Sequence, residues 1–131
     1  MAEKMTLEVV TPTGKVVKVE TASVTAPGSL GELGILPDHR PALIQLGGGA
    51  IKYDGGQVFV RGGVAEVRPG GVLVLADRAA LPDQVDRAEV EALLKQTLEA
   101  LQSRDYLNDV RLADLSNDRA FAEAVLHVAG H

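Results

Sequence analysis

The sequence predicts an all-β sandwich, a flattened antiparallel barrel of about nine or ten strands, followed by a C-terminal α-helical hairpin. Two observations lead to this fold class. Up to residue 84, short apolar segments alternate with turns rich in glycine and proline, at spacings of about 8–12 residues. Near residue 84 the hydrophobic period changes from two to 3.6, the period of a helix. We therefore expect a β-sandwich domain at residues 1–84 and a helical hairpin domain at residues 85–131.

The predicted strands differ in how their apolar residues are arranged. Residues 15–20 and 64–68 partly alternate between apolar and polar side chains, as half-buried strands do. Residues 72–76 are apolar throughout, which is typical of a strand covered on both faces. The predicted strands are residues 5–10, 15–20, 21–26, 33–36, 42–46, 50–53, 57–61, 64–68 and 72–76. The turns that separate them include 11–14, 47–49, 54–56 and 69–71.

The first predicted helix carries a single apolar stripe. Its members recur at helical spacing and are Val90, Leu93, Leu94, Thr97, Leu98 and Leu101. Asp86, with Glu89 three residues later, resembles a capping box in which Asp replaces Ser or Thr. We expect this helix to end near Ser103. We interpret the stripe as ordinary core rather than as a groove for a partner.

A second helix is predicted near the end of the sequence. Ser116 or Asn117 has the side chain of an N-cap, and Gly130 would stop the helix. The apolar side would consist of Phe121, Ala124, Val125 and Val128. Residues 107–115 are compatible either with a helical turn or two or with an ordered link. A helical hairpin of this size cannot hold a core alone, so we expect it to lean on the sandwich or on another subunit.

Composition excludes several classes of protein. The net charge is −5 and aromatic residues make up only 3%, so we expect no nucleic-acid partner, which would favour basic charge and stacking aromatics. The absence of cysteine excludes disulfides, thiol catalysis and cysteine-based zinc sites. No apolar run reaches the roughly 18 residues needed to span a bilayer. We therefore expect no direct bilayer insertion, and membrane association only through a partner.

The most informative segment is residues 31–41, Gly-Glu-Leu-Gly-Ile-Leu-Pro-Asp-His-Arg-Pro. It contains two glycines and two prolines, so residue type dictates several of its backbone angles. Its apolar centre at 33–36 predicts a buried face. The side chains expected to point outward are Glu32, Asp38, His39 and Arg40. A shaped and charged loop on a rigid β support is more typical of a docking surface than of a reaction site.

This loop closely resembles the signature of the epsilon subunit of bacterial F-type ATP synthases, in which Gly-Glu-x-Gly-Ile-x-Pro-x-His-x-Pro is typical. Three further segments are similar to that family, in the same order and at the family's spacing: Thr-Pro-Thr-Gly at 11–14, Arg-Gly-Gly-Val-Ala-Glu-Val at 61–67, and the strand at 72–77. The resemblance implies a non-catalytic central-stalk subunit of the rotor. Such a subunit couples rotation of the membrane ring to ATP synthesis, and its C-terminal helices can regulate ATP hydrolysis.

The resemblance also implies partners and a location. The shaft (gamma) subunit and the membrane c-ring would be the partners, and the catalytic alpha/beta head would be reached through the tail. The residues expected to contact the ring are Glu32, Gly34, Pro37, Asp38, His39, Arg40 and Pro41. The basic side chains expected to act in the regulatory tail are Arg111 and Arg119. The location implied is the cytoplasmic face of a bacterial plasma membrane, peripheral through the complex, with a plastid origin left open.

No cofactor is expected. Some bacterial relatives bind ATP through an Ile/Leu-Asp-x-x-Arg-Ala motif, over which residues 85–90 of this sequence align. Glu89 then occupies the position of the motif's arginine, so a carboxylate would repel the triphosphate. Arg87 lies two residues early, about 200° around a helix from the required direction. We therefore expect no tight binding of ATP, and Asp86 to be a helix cap.

Two other functions remain as alternatives, a free-standing nucleotide sensor and a small β-sandwich enzyme or carbohydrate-type binder. The glycines at 47–49 could cradle a phosphate, but no Lys-Ser or Lys-Thr follows them, and a hairpin turn is the simpler interpretation. Asp38 and His39 could act as an acid–base pair, but no serine occupies a nucleophile motif. His127 and His131 have metal-ligand spacing without a third ligand. Gly62 and Gly63 predict a bulge or close strand packing. No catalytic or metal-binding residue is therefore assigned.

Overall fold

The computed structural model describes residues 3–102 and 108–129, apart from the side chains of residues 109, 128 and 129. Ten strands form one sheet that folds over into a nearly closed, flattened barrel, and two helices follow. The strands are β1 (Met5–Thr11), β2 (Gly14–Thr21), β3 (Val24–Gly28), β4 (Gly31–Ile35), β5 (Ala42–Leu46), β6 (Gly49–Tyr53), β7 (Gly56–Val60), β8 (Gly63–Arg68), β9 (Gly71–Ala76) and β10 (Ala79–Ala80). A short 3-10 helix (Pro82–Gln84) leads into α1 (Arg87–Gln102) and α2 (Asp109–Ala129). The predicted fold class is confirmed.

The strand order is β10-β7-β6-β3-β5-β8-β9-β1-β2, with β4 paired to β3 outside this path. All these pairs are antiparallel except β1 with β9, which run parallel from Thr6 opposite Gly71 to Val10 opposite Leu75. The expectation of a wholly antiparallel barrel is therefore wrong at this one seam. A hairpin turn forces antiparallel pairing, but β1 and β9 are not joined by a turn, so nothing local fixes their relative direction.

Three of the four predicted turns close hairpins. They join β1 to β2, β6 to β7 and β8 to β9, with glycines at left-handed φ at positions 14, 55 and 70. The prediction of a hairpin turn at 47–49 is wrong, because β5 and β6 are not paired with each other. These glycines form a link between strands that have different neighbours in the sheet.

Inward side chains of the strands form one apolar core. The alternation is clearest in β1, where Met5, Leu7 and Val9 are buried and the residues between them are not. Strand β9 does not fit its prediction, because Val72 and Val74 are buried while Leu75 is 54% exposed. It is therefore covered on one face only. The two-residue strand β10 was not predicted, since a pair of alanines carries no hydrophobic period.

Both helices begin at a side-chain cap. Asp86 Oδ1 accepts hydrogen bonds from the backbone N–H groups of Ala88 at 3.0 Å and Glu89 at 3.4 Å, which confirms its predicted role. Helix α2 begins earlier than predicted, because Asn108 Oδ1 accepts from the backbone N–H of Arg111 at 2.8 Å.

Ser116 and Asn117, the predicted caps of the second helix, lie inside α2. Of the ambiguous stretch 107–115, residues 109–115 are helical. Residue 107, the predicted helix end at Ser103 and the stop at Gly130 lie outside the described residues. Cap-forming residue types are thus a weak signal where a stronger cap, here Asn108, stands upstream.

The helical hairpin packs on the sandwich, which is one of the two predicted arrangements. Helix α2 lies against β6 and β7 and is itself covered by α1. A second hydrophobic cluster, separate from the sandwich core, fills this contact. Its buried members are Phe59, Val90, Phe121, Ala122 and Val125. Leu93 and Leu94 of the predicted stripe pack against this cluster, whereas Leu98 is exposed, so the interpretation of the stripe as core holds only in part.

Candidate functional site

The loop at residues 31–41 consists of strand β4 and the turn that follows it. Strand β4 pairs along its length with β3, which fixes the first half of the loop. The backbone N–H of His39 then donates to the Leu36 carbonyl oxygen at 2.9 Å and closes a turn that contains Pro37. The ring nitrogen Nδ1 of His39 donates to the Arg40 carbonyl oxygen at 2.7 Å. The imidazole is therefore held by its own loop backbone rather than by Asp38, which leaves the acid–base interpretation without support.

The predicted ring-contacting residues lie in one short segment of the chain, at its surface. Those that are exposed are Glu32, Gly34, Asp38, Arg40 and Pro41, and those that are half-buried are Pro37 and His39. The predicted burial of the loop's apolar centre is correct for Ile35, which is fully buried, and wrong for Leu36, whose side chain is 56% exposed. At the tip of the β3–β4 hairpin Leu30 is also exposed. The exposed surface of the loop is therefore both polar and apolar.

An apolar face of the sheet lies beside this loop and was missed by the sequence analysis. Gln45, Val64, Leu75 and Val10 stand side by side across β5, β8, β9 and β1, on the side of the sheet turned away from the core. Leu43, only two residues beyond the loop, is 73% exposed on the same face. The all-apolar run of β9 was the sequence signal for this face. The run makes both faces of the strand apolar, but this chain covers only one of them.

Helix α2 borders this apolar face and forms a cleft with it of about 560 Å³. Val110 of α2, 72% exposed, lines the cleft together with Leu43 and Val64. Large apolar side chains gathered on one surface are typical of a protein interface. We call the surface formed by Val10, Leu43, Val64, Leu75 and Val110 the apolar face.

A charged rim flanks the apolar face. Glu8 of β1 lies next to it and forms an ion pair with Lys15 at 3.0 Å. The hydrogen bond from Lys15 lowers the pKa of the Glu8 carboxyl, and the charges of Lys18 and Arg68 act in the same direction. Arg68 and Glu66 form a second pair at 3.4 Å. An apolar centre with a polar, solvated rim is the usual anatomy of a docking surface.

Two of the candidate nucleotide and regulatory arginines form ion pairs within their own helix. Arg87 donates to Glu91 at 2.9 Å across one turn of α1, and Glu89 is exposed. Arg119 pairs with Glu123 at 2.8 Å on α2. Arg111 is exposed, with no carboxylate of the described residues recorded at ion-pair distance.

Metal and phosphate sites gain no support. Within residues 3–102 and 108–129, no group of three or more potential ligands could hold a metal ion. His131, half of the histidine pair, lies outside the described residues. A Cβ added to Gly48 would overlap the Asn117 carbonyl oxygen, so α2 occupies the space that a phosphate would need. In the part of the chain that the structure describes, no helix is long and apolar enough to cross a membrane.

The sandwich matches a known family of domains. A family model described as the β-sandwich domain of ATP synthase delta/epsilon chains matches residues 4–82, which contain all ten strands. Among curated proteins, the ATP synthase epsilon chain of Desulforamulus reducens is 37% identical over 124 residues, covering 92% of this chain and 94% of its own. That of Bordetella petrii is 39% identical over 111 residues, covering 81% and 79%.

The chain belongs to the ATP synthase epsilon chain family, and the resemblance seen in the loop is confirmed. As a member of this family it is a non-catalytic stalk subunit and not itself an enzyme. A solved chain of the Euglena gracilis mitochondrial ATP synthase matches with a TM-score of 0.70 at 24% identity, covering 98% of this chain and 82% of that one. At this identity the likeness concerns the fold alone.

Proposed function

We propose that this chain binds the shaft subunit and the membrane ring of an ATP synthase and turns with both of them. The observation that carries the proposal is the apolar face beside an exposed loop, on a hydrogen-bonded sheet. In such a subunit the sheet would transmit torque between two partners, and no bond chemistry would occur on this chain. The solved structures with similar chains are of ATP synthase assemblies that include F1 and the c-ring, or the central stalk and c-ring, which supports the same assignment.

The apolar face is the proposed seat of the shaft subunit. An obligate interface needs apolar area at its centre, and Leu43, Leu75 and Val110 supply it without any movement of the chain. The charged rim around Glu8 would remain solvated. It would set the orientation of the bound shaft subunit rather than the affinity for it.

The loop at residues 31–41 is the proposed contact with the ring. Its turn is closed by a backbone hydrogen bond and contains Pro37, so it would present its side chains with little loss of conformational entropy. The exposed Glu32 carboxylate could accept charge-assisted hydrogen bonds from polar ring loops, and Leu36 adds apolar contact. An exposed ion pair contributes on the order of 0–1 kcal/mol, so single changes here should weaken binding little.

The location that follows is the cytoplasmic face of a bacterial plasma membrane, reached through the complex. The curated relatives named above are bacterial, which supports this. The tail, with Arg111 and Arg119, is proposed to reach the alpha/beta head only weakly, because residues 85–131 carry nine acidic and five basic side chains.

Co-purification with the shaft subunit tests the shaft contact. A charge placed in the centre of an apolar interface is strongly unfavourable, so Leu43→Glu combined with Leu75→Glu should reduce co-purification at least about tenfold. Leu98→Glu is the matched control, because Leu98 is an exposed leucine on α1 away from the apolar face, and it should co-purify normally. Normal co-purification of the double variant would show that the shaft binds elsewhere.

A further inference from the structure

The cleft between α2 and the apolar face is lined by apolar and acidic side chains. Its apolar lining comes from Leu43 and Val64 of the sheet and from Val110 of α2. Asp77 and Asp114 line the same cleft, and both side chains are exposed. None of the described residues that line the cleft is basic. The charge of its lining is therefore of one sign.

Two different elements hold the carboxylates in place. Asp77 directly follows β9, and its backbone N–H donates to the Gly62 carbonyl oxygen at 3.0 Å. On α2, the residues that line the cleft are Val110, Ala113, Asp114 and Asn117. They recur at i, i+3, i+4 and i+7, so they share one face of the helix. Regular backbone structure therefore places both carboxylates at the cleft before any partner is bound.

The two carboxylates have no cation of their own. Within residues 3–102 and 108–129, neither Asp77 nor Asp114 forms an ion pair. Glu8 and Glu66 at the rim, by contrast, are each paired with a basic side chain. Negative charges that share a cleft also repel each other, and a cation bound there offsets this repulsion. The cleft is therefore complementary to a positive charge.

The apolar lining limits the kind of cation that fits. A hydrated metal ion would leave Leu43 and Val110 uncovered, and the described residues offer no group of three ligands for one. An arginine side chain has an apolar stem that packs along apolar surface and a charged head that remains near polar groups. Its planar guanidinium carries five donors, so it can bind two carboxylates at once. Arginine is also enriched among the residues that dominate the energy of protein interfaces.

We propose that the cleft receives an arginine side chain of the shaft subunit, whose guanidinium binds Asp77 and Asp114. The stem of this arginine packs on Leu43, Val64 and Val110. The inference rests on the proposed function, in which the apolar face seats the shaft subunit. It adds the contact that fixes the position of the shaft on that face, because apolar burial is non-directional and a charge-assisted hydrogen bond is directional.

Reassembly of the complex tests this contact. The full chain is titrated onto an ATP synthase complex from which this subunit has been removed, and the dissociation constant is measured. Asp77→Asn with Asp114→Asn keeps the size of both side chains and removes both charges. The dissociation constant should rise at least about tenfold, because the arginine then lies in the interface without a charged partner.

The matched control is Asp83→Asn with Glu99→Gln. It changes the net charge by the same two units, at exposed sites that do not line the cleft, and it should reassemble normally. Urea denaturation should give both variants the midpoint of the unaltered chain, since all four carboxylates are exposed.

A coupling measurement identifies the partner residue. Each arginine of the shaft subunit is replaced in turn by glutamine, and each replacement is combined with the double variant Asp77→Asn and Asp114→Asn. One replacement should weaken reassembly of the unaltered chain about tenfold and have little further effect on the double variant, because both changes remove the same interaction.

Failure of this inference can be distinguished from failure of the proposed function. Leu43→Glu with Leu75→Glu, titrated in the same way, reports on the shaft contact itself, and normal reassembly of that variant would refute both. If that variant fails to reassemble while Asp77→Asn with Asp114→Asn binds as the unaltered chain does, the cleft holds no cation and only this inference is overturned. The inference is equally overturned if the matched control weakens binding as much, or if no arginine of the shaft is coupled to the two carboxylates.

Discussion

At Asp86, a role as a helix cap can be distinguished from a role in nucleotide binding. Its carboxylate accepts hydrogen bonds from two backbone N–H groups at the start of α1. These bonds occupy the side chain that a nucleotide motif would use. The next cation, Arg87, pairs with Glu91, and the position of the motif's arginine holds the exposed Glu89. The local charge therefore opposes a triphosphate.

We predict that the isolated chain shows no tight binding of Mg-ATP in titration calorimetry. Asp86→Ala should instead lower the free energy of unfolding by about 1 kcal/mol through loss of the cap, measured by urea denaturation. Asp86→Asn is the control, because asparagine caps helices as well as aspartate does, and it should cost only a few tenths of that. A dissociation constant in the low micromolar range for the unaltered chain would refute this assignment.

Glycines show what residue type can and cannot predict. Close strand packing at Gly62 and Gly63 was expected, and a Cβ at Gly63 would indeed overlap the Leu75 carbonyl oxygen and lie 2.8 Å from the Ala76 Cα. The link at 47–49 was assigned to a hairpin because its glycines allow a tight turn. A glycine indicates that something approaches closely, but the sequence does not state which segment approaches, and here it is α2.

At the scale of elements, the strands were predictable and the covering of their faces was not. Periodicity located β1, β5 and β9 within a residue or two, since each alternation or apolar run is local. Whether the second face of β9 meets this chain or a partner depends on tertiary packing. Likewise, the start of α2 at Asp109, after the cap Asn108, was missed because the preceding residues lack a strong apolar period.

Helix α2 is predicted to inhibit ATP hydrolysis weakly. Arg119 is already paired with Glu123, and residues 85–131 carry an excess of four acidic side chains, so few basic groups remain for a contact with the head. Deleting residues 104–131 from the chain in the assembled complex should change the ATPase rate less than several-fold. Arg111→Ala with Arg119→Ala is the companion variant and should also leave the rate near normal. A several-fold rise on deletion would contradict weak inhibition.

At the scale of the whole molecule, periodicity and turn chemistry were enough for the fold class, and the resemblance of the loop at 31–41 and of three further segments was enough for the family. The loop at 31–41 was recognisable because its glycines and prolines dictate backbone shape locally. The apolar face and the parallel seam of β1 with β9 both join residues distant in sequence. A single sequence carries no local signal for such contacts, which is why they required the structure.

The central claim is that this chain turns together with the ring and the shaft. Since the chain has no cysteine of its own, Glu32→Cys introduces a single thiol that can be crosslinked to a cysteine in the polar loop of the ring. The crosslink should form in the assembled complex and should leave ATP-driven proton pumping near its normal rate, because joining two parts that rotate together blocks no motion. Failure to form the crosslink, or a crosslink that stops pumping, would contradict the account.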